Sequence, residues 1–90
     1  MKVIVKYMTQ AKQAAGASSE VVDLPGACTV AELVARLVEW HGESLRYLLL
    51  NADGHVQPAL LLFMGDEQAS PQTVLTDGDV VTILAPMAGG

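Results

Sequence analysis

Residues 76–90 read T-D-G-D-V-V-T-I-L-A-P-M-A-G-G, and the rest of the chain is best understood as a scaffold that presents them. Asp77-Gly78-Asp79 is a turn signal, because Gly adopts backbone angles that other residues resist and Asp bonds to its own turn. Residues 80–84, V-V-T-I-L, form a β-branched run of strand character. Pro86 ends that strand, since it has no N–H to give to a ladder. Residues 86–90 then read as a flexible tail. At about 3.3–3.6 Å per residue, this tail can reach roughly 17 Å beyond the domain.

A pair of terminal glycines has a physical use. Gly89 and Gly90 lack a Cβ, so they pass through a channel that admits only backbone. The α-carboxyl behind them, with a reference pKa of about 3.3–3.7, is ionised at neutral pH and sterically open. It acylates nothing unaided, but another enzyme could convert it to an acyl-adenylate. A frayed end is the competing explanation, and the turn, strand and proline directly upstream weigh against it.

Outward from this segment, residues 2–8 (K-V-I-V-K-Y-M) predict a strand with Val3, Val5 and Tyr7 on one face and Ile4 and Met8 on the other. Apolar residues on both faces suggest a central position. Residues 9–15 could form one or two helical turns, stopped by Gly16. Residues 20–24 predict a second strand, antiparallel to the first. The clearest helix starts at Thr29, whose hydroxyl can cap the first turn while Glu32 reaches back. Val30, Leu33, Val34, Leu37 and His41 then share one helical face, and Gly42 stops the helix. Residues 43–50 read as a shorter helix, 51–54 as a turn, 59–64 (A-L-L-L-F-M) as a buried strand, and 65–72 as a polar loop.

The order strand, strand, helix, strand, strand predicts an α+β fold. It is a β-grasp (ubiquitin-like) mixed sheet packed on one main helix, with one or two short extra helices. The first and last strands should be parallel neighbours at the sheet centre, joined by a right-handed crossover. Ninety residues make a single domain. A hydrophobic share of 51% supports a core, and five basic against ten acidic residues give a net charge of −5. That acidity argues against nucleic acid, whose phosphates would repel it. No apolar run is long enough for a bilayer. Cys28 is the only cysteine, so no internal disulfide can form and a cytoplasmic setting is expected.

On these residues the chain resembles the MoaD/ThiS-type ubiquitin-like sulfur carriers. Residues 2–16 resemble the family's opening strand and glycine-stopped helix, and 29–37 (T-V-A-E-L-V-A-R-L) its capped helix. Residues 75–90 are similar to its most specific signature, Leu-x-Asp-Gly-Asp, a final strand, a proline and Gly-Gly. Met64 departs from it, standing where many relatives place asparagine. The resemblance implies that an adenylating enzyme of the ubiquitin-activating type uses ATP on Gly90, and that sulfur then replaces one carboxyl oxygen. No cofactor would be bound by the carrier itself. Gly89 would be the slender neighbour, Met87 and Ala88 would line the tail, and Ile83, Leu84 and Pro86 would lie at its root. A docking patch including Ile83 and Leu62 is expected. The helix over 9–16 and the segment 43–58 favour the small subunit of molybdopterin synthase, which inserts its tail into a large subunit. Carriers serving cysteine, thiamine or transfer-RNA thiolation share the outline, as do modifiers that ligate to lysines.

Other candidates are weaker. His41 has no second metal ligand three or four residues away, so a helix-end histidine near a carbonyl is expected. Cys28 precedes a helix cap that could lower its pKa, yet a nucleophile would need a base beside it. Asp77 and Asp79 lack the further oxygen ligands of a calcium loop. Trp40 and Tyr47 read as core-edge residues. No phosphate-binding glycine loop exists, so ATP chemistry must reside on a partner.

Overall fold

A computed structural model describes residues 1–85 of the chain. The expected tail and its residues Pro86, Met87, Ala88, Gly89 and Gly90 lie outside the described residues. The elements are β1 (Lys2–Thr9), α1 (Gln10–Ala15), β2 (Ser19–Asp23), α2 (Val30–His41), α3 (Glu43–Leu49), β3 (Leu61–Met64), β4 (Glu67–Ala69) and β5 (Val80–Ala85). They form one five-stranded mixed sheet in the order β2-β1-β5-β3-β4. β1 and β5 are parallel neighbours, while β2 pairs antiparallel with β1 and β3 antiparallel with β5. This is the β-grasp arrangement that the element order predicts.

α2 forms where its cap says it should. Thr29 Oγ1 accepts from the Glu32 amide at 3.2 Å, and Glu32 Oε1 accepts from the Thr29 amide at 3.0 Å. This reciprocal box satisfies two amides that the first turn leaves without partners, worth about 1 kcal/mol. Val30, Leu33, Val34 and Leu37 are fully buried, which makes the apolar stripe of α2 the lid of the core. Beneath it lie Val3, Val5 and Tyr7 of β1, Val22 of β2, Leu62 of β3, and Val81, Ile83 and Ala85 of β5. Leu45 and Leu49 close the core from α3, and Ala11 anchors α1.

The 76–79 turn fixes the register of β5 against β1. Gly78 takes φ +87°, and its amide donates to the Lys2 carbonyl at 2.7 Å. The Lys2 amide donates in return to Asp77 Oδ1 at 2.7 Å. Asp79 Oδ2 accepts from the Thr76 amide at 2.7 Å, closing the turn on itself. The acidic pair therefore holds backbone amides, as the turn reading requires.

Two expectations about the fold are corrected. Residues 65–72 are not all loop: Met64 pairs with Glu67 across a two-residue Gly65-Asp66 hairpin that starts β4. A positive φ of 60° falls on Gly65 alone, the first turn position, which suits the twist of the flanking strands. β1 is an interior strand, as its two apolar faces suggest, and Ile4 and Met8 on its outer face are exposed. Trp40 and Tyr47 are not core-edge residues, being 52% and 84% exposed.

Candidate functional site: the root of the tail

β5 lies in the middle of the sheet, and Ala85 is the last described residue. The register of the parallel pair runs from Ile4–Val80 to Thr9–Ala85, so β1 accompanies β5 up to its last residue. Strand alternation then sorts the neighbouring side chains. Val81, Ile83 and Ala85 point to the core, while Val80, Thr82 and Leu84 occupy the outer face. The registers β1–β5 and β3–β5 align Met8, Leu84 and Leu61 in one row across three strands. Met8 and Leu61 are 47% and 41% exposed and Leu84 is half-buried. An apolar row thus lies directly beside Ala85, the last described residue.

The same alternation corrects the expected docking residues. Ile83 and Leu62 face each other in register, both inward, with 0% and 3% exposure. A partner cannot touch them without opening the core. In V-V-T-I-L-A one apolar member of each adjacent pair must be buried, and composition alone does not say which. Leu84 keeps its expected place at the root. Met8 and Leu61 join it, both on the open face of the sheet.

Behind the sheet, Tyr7 is buried with its hydroxyl donating to Glu20 Oε2 at 2.5 Å. His41 Nε2 lies 2.5 Å from the same oxygen, and a carboxylate can only accept, so Nε2 carries the proton there. His41 also meets the Tyr7 ring edge-on, with centroids 6.0 Å apart. The helix-end histidine therefore binds a carboxylate of β2 rather than a carbonyl, tying α2 to β1 and β2. Burial first, then donation to Glu20 and that residue's charge, push the Tyr7 phenol well above its ordinary range. Tyr7 stays neutral and serves as a strut.

That pairing has a measurable pH signature. A folded-state pKa raised above the free phenol's value of about 10 contributes stability that is full below pH ~10 and is lost as pH rises further. Tyr7→Phe should lower stability at neutral pH by about 1 kcal/mol, one net hydrogen bond. It should also lose less stability than the parent between about pH 10 and 11.5. Urea denaturation across that range checks both. Equal alkaline losses in the two proteins would remove the assignment.

Cys28 is half-buried, and burial, followed by the Glu32 charge, raises its thiol pKa against a smaller opposing effect of Arg36. This is the opposite of what a nucleophile requires. Among the described residues no group of three His, Cys, Asp or Glu side chains could hold a metal ion. Among them, too, no helix is long and apolar enough to cross a membrane.

The five-stranded mixed sheet and its helices define a ubiquitin-like β-grasp protein. The sequence model of the ThiS family matches residues 5–90, and the chain belongs to that family of ubiquitin-like sulfur carriers. Its structure is similar to SAMP1 from Haloferax volcanii, at 23% identity over 100% of both chains with a TM-score of 0.89. It is also similar to a Pyrococcus furiosus protein assigned as a molybdopterin converting factor, subunit 1 (25% identity, 97% and 99% coverage, TM-score 0.75). A third likeness is to a chain of the Amycolatopsis orientalis BexX/CysO complex (25% identity, 98% and 99% coverage, TM-score 0.68). A comparison with curated proteins finds no match.

Proposed function

We propose that this protein carries sulfur on Gly90. The terminal carboxylate attacks the α-phosphorus of ATP on a ubiquitin-activating-type partner, releasing pyrophosphate. A sulfur nucleophile then displaces AMP, and the thiocarboxylate delivers its sulfur to a substrate on a second enzyme. The carrier supplies no side-chain catalyst, because ATP is bound and activated on the partner. Gly89 lets the end enter a narrow channel, and Leu84, Pro86, Met87 and Ala88 line the path. Met8 and Leu61 extend the contact across the outer sheet face. The observation that carries this reading is the family match, which runs through Gly89 and Gly90, while β5 at the sheet centre reaches Ala85, four residues before Gly89.

The acceptor we favour is the large subunit of molybdopterin synthase, with the cytoplasm as the setting. The likeness to the Pyrococcus furiosus protein supports it, as does the presence of α1 and α3 in the segments that favour that branch. The equal identity to CysO supports a second reading, delivery to a different synthase. Intact-mass measurement after incubation with the adenylating enzyme, ATP and a sulfur donor tests the common step. The expected result is an oxygen-to-sulfur exchange at Gly90. Adducts on lysines of larger proteins, with no such exchange, would replace carriage by conjugation.

A further inference from the structure

Thr9 is the single residue other than glycine with a positive φ among the described residues, at φ 52° and ψ −125°. For a β-branched side chain this is a strained conformation. Its local cause is clear: β1 ends at Thr9 and α1 begins at Gln10, so one residue must absorb the whole change of direction. Glycine would do this without strain. Packing does not account for threonine here, because Thr9 is exposed and open grooves flank it.

What threonine has and glycine lacks is a hydroxyl, and that hydroxyl is engaged. Thr9 Oγ1 lies 3.0 Å from the Ala85 carbonyl oxygen and 2.8 Å from the Met8 carbonyl oxygen, with its one proton directed to this pair. Ala85 is the last residue of β5, and the β1–β5 ladder stops at Thr9–Ala85. Beyond it, β1 has turned away into α1 and offers β5 no further register partner. The next residue, Pro86, has no N–H with which to continue a ladder. The side chain thus supplies a donor at the point where the backbone ceases to. From this geometry we propose that Thr9 is a positioning residue: its hydroxyl pins the Ala85 peptide and so sets the direction in which the tail leaves the sheet. The inference rests on the carrier reading for its functional consequence.

Three full-length variants separate strain from hydrogen bonding. Thr9→Val keeps the shape and loses the hydroxyl, Thr9→Gly relaxes the backbone and loses it, and Thr9→Ser retains it. In loading by the adenylating enzyme, Val and Gly should raise the KM for the carrier about three- to tenfold, the weight of one hydrogen bond, with kcat unchanged. Ser should restore the parental KM, and Gly should melt at or above the parental temperature. Amide 15N relaxation at Leu84 and Ala85 gives a second readout that needs no partner. Order parameters there should fall in Val and Gly and recover in Ser. Parental KM and order parameters in Thr9→Val would overturn the inference. A parent that is never loaded would instead sink the carrier reading, leaving the relaxation result to decide the role of Thr9.

Discussion

Gly90→Ala is expected to fold as the parent does and to be loaded at least about a hundredfold more slowly. The described residues already form a closed core, from the α2 stripe to Val81, Ile83 and Ala85, and a methyl group added at residue 90 deletes none of those side chains. At the partner the same methyl adds bulk at the carbon bonded to the reacting carboxyl. A displacement of about 1 Å there costs on the order of 10² in rate, since adenylation needs in-line approach to phosphorus. Appending one residue after Gly90 moves the carboxylate by a full peptide length and should have the same effect. Thermal melts together with intact-mass time courses provide the check. Thiolation of Gly90→Ala at the parental rate would contradict the proposal.

The second large effect separates two adjacent residues. Ile83→Ala should cost about 2–5 kcal/mol, because it leaves a cavity among residues that cannot collapse onto it. A domain of this length holds roughly 5–13 kcal/mol in total, so a large share of its stability is at risk. At about 4–8 °C per kcal/mol, the melting temperature should fall by roughly 8–40 °C. Leu84→Ala should cost less than about 1.5 kcal/mol, since its side chain lies on the open face. Its expected effect is weaker docking to the adenylating partner. Denaturant titration and binding measurements on both variants give the comparison. Equal stability losses would mean that the strand faces have been assigned the wrong way round.

Much of this architecture is legible in the sequence because its signals are local. The Thr29/Glu32 box, Gly16 after α1, and the Asp77-Gly78-Asp79 turn each state a backbone geometry within four residues, and each is present. β4 escapes a sequence reading although Gly65-Asp66 is a recognisable two-residue hairpin signal. Its strand, E-Q-A, has too few apolar residues to show a period. Trp40 and Tyr47 mislead for the opposite reason: large aromatic rings suggest burial, and here they stand in solvent.

The site divides along the same line. By itself the sequence determined the fold class, the main helix, every strand except β4, the central pairing of first and last strands and the carrier signature, because these follow from propensity, periodicity and connection rules. Only the tertiary structure decided that Leu84 rather than Ile83 faces outward, that Met8, Leu84 and Leu61 form one row, that His41 reaches Glu20, and that Thr9 touches Ala85. Each of these joins residues distant in sequence or chooses between two faces of one strand. A period of two reports that the faces differ but not which one a helix will cover, and contact across 76 positions leaves no trace in local composition.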